Sequence, residues 1–210
     1  MQEYLTVFLL YFTSFFTLIN PLGAMPIFMT MTANLTEIEK HRTAKKATVV
    51  AFITLIIFAV TGQFMFNFFG ISVNSLRVVG GIIFFMMGLD MLQARLTRVK
   101  LKEDEVVSYV NDISVTPLAI PLICGPGAIT NAIVLMEDSK TIELQLILFT
   151  SIFLVILINY IVLYFSSTIT KLIGETGNNV MMRLMGLIVM VIAVEFFFSG
   201  LKPIILNIIK

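Results

Sequence analysis

Ten residues, Thr17-Leu18-Ile19-Asn20-Pro21-Leu22-Gly23-Ala24-Met25-Pro26, interrupt an apolar run that extends from Leu5 to Met31. The run is long enough to cross a bilayer as a helix, which takes about 20 apolar residues. Proline lacks an N–H and its ring collides with the preceding turn, so two prolines and a glycine do not sustain a helical ladder there. About a hundred residues later the chain is interrupted in a similar way, at Pro121-Leu122-Ile123-Cys124-Gly125-Pro126-Gly127-Ala128-Ile129-Thr130. Two broken apolar segments at corresponding places in two halves point to a binding site at the membrane midplane of a secondary transporter.

The rest of the composition agrees with a membrane setting. Apolar residues make up 58% of the chain and charged residues 13%, with a mean hydropathy of +0.99; soluble domains carry nearer a quarter charged residues. The apolar residues fall in continuous blocks and lack the alternation of barrel strands, so the fold class expected is all-α. A net charge of +1 gives no reason to expect a nucleic-acid partner. Cys124 is the only cysteine and His41 the only histidine, which leaves no disulfide and no Cys- or His-based metal cluster to build. Neither a metal nor a cofactor is expected. The first residues, Met1-Gln2-Glu3-Tyr4, lack the positive region of a signal peptide, so the first segment reads as a retained helix.

Six spans are expected, at about 4–31, 45–69, 75–94, 114–136, 142–170 and 179–201, with the first broken at Asn20-Pro21 and the fourth at Gly125-Pro126. Thr36 followed by Glu39 reads as a capping box that starts the second helix in water. The polar stretch 95–113 reads as a cytoplasmic linker between a first unit, 1–94, and a second, 114–210. Lys and Arg are concentrated in the loops after spans one, three and five, ten against four on the other side. By the positive-inside rule the chain lies in the cytoplasmic (inner) membrane with both termini extracytoplasmic. Gly23-Ala24 matches Gly127-Ala128 and Gly70 matches Gly174 at an offset of 104, while Arg77-x-x-Gly80 matches Arg183-x-x-Gly186 at 106. Each half holds three spans, an odd number, so the second half is expected to be an inverted repeat of the first.

Asn is a preferred N-cap and proline suits the first helical position. Asn20-Pro21 and Gly125-Pro126 therefore read as the starts of second half-helices, at about 21–31 and 126–136. In an inverted pair these starts meet at the midplane, and their free N–H groups and positive dipole ends suit a carboxylate. Carbonyls at the ends of the preceding half-helices (Leu18, Ile19, Leu122, Ile123) suit an ammonium group, so a zwitterion satisfies both. The expected binding residues are Asn20, Pro21, Leu22, Gly23, Ala24, Gly125, Pro126, Gly127, Ala128, Thr130 and Asn131, with Thr17 adding a hydroxyl. Gly23 and Gly127 are expected to let backbone approach a small ligand closely. A lone proline in such a helix commonly means only a kink; the site reading rests on the matched pair. Glu195 is the only acid well inside a span and is the candidate for proton coupling, against a neutral carboxyl bonded to a neighbouring helix. Asp90, Arg77 and Arg183 read as residues at span ends, and Cys124 as packing.

At these residues the chain resembles the MarC family. Asn20-Pro21-Leu22-Gly23-Ala24-x-Pro26-x-Phe28 and Pro117-Leu118-Ala119-Ile120-Pro121-Leu122-x-x-Gly125-Pro126-Gly127-Ala128-Ile129-Thr130 look like its paired signatures, and the resemblance covers nearly the whole chain. It implies a transporter of small neutral amino acids such as glycine and alanine, proton- or sodium-linked, with export among the directions. Two other readings compete: efflux of antibiotics or other hydrophobic compounds, and a non-transporting receptor or assembly factor. Gly88-Leu89-Asp90 is only faintly similar to a membrane aspartyl protease motif. Its first glycine is absent and there is no second intramembrane aspartate to share a proton, so no enzyme and no catalytic residue are expected.

Overall fold

A computed structural model describes residues 2–93 and 106–209. Among these residues the regular structure is entirely helical: α1 (Gln2–Ile19), α2 (Pro21–Met31), α3 (Glu37–Phe69), α4 (Val73–Leu92), α5 (Val106–Ile113), α6 (Pro126–Asp138), α7 (Ile142–Tyr164) and α8 (Ser166–Ile209), with an irregular helical segment, Ser114–Ile123, before α6. Five stretches are long and apolar enough to cross a membrane: Glu3–Met31, Glu37–Phe69, Val73–Leu92, Ile142–Tyr164 and Asn179–Asn207. A sixth arises if Val110–Ile123 and Pro126–Asp138, bent by 60° at their junction, count as one. The outward surface is apolar, with Phe64 and Phe68 each 73% exposed, which suits hydrocarbon and not water.

The helix ends follow from local chemistry. Thr36 and Glu39 form the expected capping box: the Thr36 hydroxyl accepts from the Glu39 N–H at 3.4 Å, and the Glu39 carboxylate accepts from the Thr36 N–H at 2.8 Å. The cap starts α3 well before its apolar stretch, so the helix runs to 33 residues. Gly70 ends α3 at φ 63°, a left-handed conformation that glycine adopts without strain. Gly174 has φ 76° inside α8 and divides it into a short first part and the long span that follows. Pro203 lies within that long helix, which continues to Ile209, past the end expected for the sixth span at about 201.

The broadest packing contact joins α4 to α8. The seam is lined by small residues seven apart, Gly81 and Gly88 on α4 facing Gly186, Ala193 and Gly200 on α8. A Cβ added at Gly81 would come within 2.8 Å of the Ala193 carbonyl oxygen, one at Gly88 within 2.8 Å of that of Gly186, and one at Gly200 within 2.6 Å of that of Asn74. In lipid there is no hydrophobic gain from helix association, so close backbone approach at small residues is what holds such a pair. Around this pair α1 packs on α7 and α6, α2 on α7 and α8, α3 on α6, α7 and Ser114–Ile123, and α4 on α6.

The fourth span departs from expectation. Ser114–Ile123 is not a regular half-helix: Thr116 (φ −129°, ψ 121°) and Ile120 (φ −127°, ψ 121°) are extended, each directly before a proline. Proline excludes helical conformations from the residue before it, and the pairs Thr116-Pro117 and Ile120-Pro121, both cis, apply that rule twice. Buried Leu118, Ala119, Leu122 and Ile123 hold the segment against the core. In the stretch read as a linker, residues 94–105, including Arg95, Arg98, Lys100, Lys102, Glu103, Asp104 and Glu105, lie outside the described residues. Its last part is α5, where Val110 and Ile113 are buried and Asn111 accepts a hydrogen bond from Lys46 at 2.6 Å.

Candidate binding site at the helix breaks

A single residue separates α1 from α2. Asn20 has φ 47° and ψ 68° and is the one non-glycine residue with positive φ among those described. Asparagine tolerates this region better than most residues because its short polar side chain bonds locally. The Asn20 N–H closes α1 on the Phe16 carbonyl at 3.0 Å, and its carbonyl opens α2 by accepting from Ala24 at 3.0 Å. Its side-chain Oδ1 accepts from the Gly23 N–H at 3.2 Å. The cap is therefore the expected one, made from a left-handed backbone where an extended one is usual. Pro26, expected to add to the break, is carried within α2.

The space beside Gly23 is filled from within the protein. A Cβ there would lie 2.3 Å from Asn20 Nδ2 and 2.9 Å from its Cγ, so the space beside Gly23 is taken by the capping amide and not left for a ligand. The same holds at the second break. A Cβ at Gly125 would meet the Phe84 ring at 2.4 Å, and one at Gly127 would meet Phe196 at 3.0 Å and Leu18 at 3.2 Å. Gly125, the N-cap of α6, offers no side-chain cap, and the Gly127 and Ala128 N–H groups of its first turn have no acceptor within the helix.

A cavity of about 30 Å³ lies at the first break, bounded by Thr17–Asn20, Gly23 and Ala24. Leu122 closes it from the second break, Phe84 and Met87 from α4, and Val189 and Ile192 from α8. That volume holds about two water molecules. Phe84 and Leu18 line it and also pack where side chains at Gly125 and Gly127 would go, so the two breaks meet through these two residues. No charged side chain bounds the cavity.

An open groove of about 520 Å³ runs along α1 and reaches the same place. It is lined by Leu10, Thr13, Ser14, Thr17, Leu18 and Leu135, and shares Thr17 and Leu18 with the cavity. The Thr13 and Thr17 hydroxyls donate to carbonyls one turn back, at 2.7 and 2.8 Å, which leaves their oxygens able to accept. Ser14 donates to Asn131 Oδ1 at 3.0 Å and fixes the amide of that residue. Asn131 Nδ2 and Thr130 Oγ1 are then buried without a partner. Native structures pair most buried polar atoms, so these two, on residues already singled out by sequence, stand out as unsatisfied.

Other expected residues fall elsewhere. Leu22 is 56% exposed and points away from the cavity. Pro21, Ala24, Pro126 and Ala128 are buried. Glu195 is exposed on α8 and does not bound the cavity or the groove, although Ile192, three residues earlier, does line the cavity. Arg77 donates to Asn74 at 3.4 Å, Asp90 and Arg183 are exposed, and Cys124 is fully buried. Asn159 was missed. It is fully buried in α7, and neither its Nδ2 nor its Oδ1 has a partner. The available signal was an amide deep in a strongly apolar span, away from either helix break.

The family profile described as MarC family integral membrane protein matches residues 5–205. The chain belongs to the MarC family. It is an integral, multi-pass membrane protein. MarC relatives align over almost the full chain. A UPF0056 membrane protein of Pyrococcus horikoshii is 39% identical over 96% of this chain and 98% of its own. The UPF0056 membrane protein YvbG of Bacillus subtilis is 38% identical over 91% and 92%, respectively. One from Methanocaldococcus jannaschii is 34% identical over 94% and 97%. No solved structure matches the chain.

Proposed function

We propose that this MarC protein is a secondary transporter of small neutral amino acids, built from two inverted three-helix repeats that rock about their shared contacts. The observation that carries the reading is the small uncharged cavity where the two helix breaks meet, which shares Thr17 and Leu18 with a groove whose Ser14 holds the half-paired amide of Asn131. A ligand without net charge suits a site with no charged wall, because an unpaired ion there pays full desolvation. A zwitterion brings its own neutrality. Its carboxylate would take the Asn131 amide and the free N–H groups of Gly127 and Ala128, and its ammonium group the hydroxyl oxygens of Thr13 and Thr17. The cavity's volume lies far below the several hundred Å³ of drug-sized pockets, which disfavours efflux of large hydrophobic compounds.

The packing supports the inverted repeat. Exchanging α1 with Ser114–Ile123, α2 with α6, α3 with α7 and α4 with α8 turns the contact of α1 with α7 into that of Ser114–Ile123 with α3. It turns α2 with α7 into α6 with α3, and α2 with α8 into α6 with α4. The pairs α3–α7 and α4–α8 map onto themselves, as elements astride a pseudo-twofold axis do. Gly70 and Gly174, matched by sequence, both have positive φ. With both termini extracytoplasmic, as the basic residues favour, the groove along α1 is the extracytoplasmic approach. Radiolabelled glycine or alanine flux into proteoliposomes tests the proposal. Flux above that of empty vesicles, competed by the unlabelled amino acid, is expected; no flux of any neutral amino acid overturns it.

A further inference from the structure

A second groove, away from the helix breaks, lies on the outer face of the α3–α7 seam. It encloses about 290 Å³ between Lys45, Thr48, Val49 and Phe52 of α3 and Phe153, Ile156, Leu157 and Tyr160 of α7. Residues 41, 45, 48, 49 and 52 recur at helical spacing and form one stripe along α3. At the polar end His41 stacks on Tyr164 with ring centroids 3.8 Å apart. At the deep end Phe52 meets Phe153 edge-on at 6.0 Å. Lys45 and Phe52 are seven residues apart, about 10 Å along the axis.

We infer that this groove binds an anionic phospholipid, its phosphate on Lys45 and one acyl chain laid between Phe52 and Phe153. The walls below Thr48 are hydrocarbon, and Lys45 supplies the groove's one formal charge, at its mouth. Among the described residues Lys45 has no carboxylate within salt-bridge distance, whereas Lys40 is held by Glu37 at 3.2 Å. Tyr160 adds a hydroxyl on the facing wall. A cation above an apolar slot fits a lipid whose head is negative and whose tail is apolar, and basic pockets between membrane helices on the cytoplasmic side bind such heads. A protein helix seated there would leave the Lys45 charge unanswered unless it brought an acid to that depth. The depth assignment rests on the membrane placement of α3 and not on what the protein transports.

The chain has no tryptophan, so Phe52→Trp places the sole indole at the deep end of the groove. The variant is reconstituted in phosphatidylcholine vesicles with increasing phosphatidylglycerol, the one or the other carrying brominated chains that quench indole fluorescence. About fivefold preferential quenching by phosphatidylglycerol is expected, the worth of one lysine near an anionic head. Adding Lys45→Gln should bring the ratio close to one. Phe153→Trp reads the same site from α7 should Phe52→Trp not reconstitute. Phe64→Trp, exposed on α3 with no lysine or arginine within four residues along the chain, should show no preference. Equal quenching by both lipids at the groove, a preference unchanged by Lys45→Gln, or exclusion of both lipids by a protein occupant overturns the inference.

Discussion

Asn20 combines two demands that few side chains meet, a left-handed backbone and an acceptor placed over the Gly23 N–H. Glycine satisfies the first and alanine neither. Asn20→Ala should cost about 1–2 kcal/mol of stability, and Asn20→Gly only a few tenths, read by thermal unfolding in detergent. If the Asn20 amide also faces substrate, Asn20→Gly folds normally yet loses most of its flux; full flux confines the residue to capping. Thr130 and Asn159 invert the usual sign. Their polar atoms are buried without partners, and replacing an unpaired polar group with an apolar one of similar shape removes a penalty of about 1–3 kcal/mol. Thr130→Val should raise the unfolding temperature while lowering glycine flux, and Asn159→Leu should also raise it. A lower unfolding temperature for either means that the group has a partner in the resting protein.

At the scale of elements, the α4–α8 seam and the Ser114–Ile123 segment show what was legible in the sequence and what was not. The break at Asn20-Pro21 was legible because capping chemistry is local: an Asn, a Pro and a Gly suffice to write it. The irregular course of Ser114–Ile123 was legible in principle, since Thr116 and Ile120 each precede a proline, but the hydropathy of the whole segment hid it. The tasks of Gly23, Gly125 and Gly127 were not legible, because what fills the space beside them comes from Asn20, Phe84, Leu18 and Phe196, and only packing reveals such neighbours. The facing of Glu195 was not legible for a related reason. Depth along a span can be read from sequence, but which way the residue faces depends on neighbouring helices. As an exposed residue away from the cavity, Glu195→Gln should leave glycine flux within about twofold, the range of a surface change, with and without an imposed pH gradient; loss of the gradient's effect would restore its coupling role. Gly88→Val, which drives a side chain into the Gly186 carbonyl, should cost about 1–3 kcal/mol and split the α4–α8 pair, seen as a lowered unfolding temperature.

For the molecule as a whole, the proposed function requires that the two breaks form one site which the repeats expose alternately. In the conformation described, that site is small: about 30 Å³, walled by Phe84 and Leu122 and adjoined by the open groove along α1. Transport then requires the walls to part, because an amino acid does not fit in the space of two waters. Ala24 lines the cavity and is 1% exposed, which makes it a reporter of that opening. The most direct measurement is alkylation of Ala24→Cys, in a chain carrying Cys124→Ala, by a membrane-impermeant maleimide applied to sealed vesicles of either orientation. Labelling from both sides, slowed by glycine or alanine, is the predicted result. A thiol that reacts from neither side, or whose reaction is indifferent to every small neutral amino acid, would contradict it.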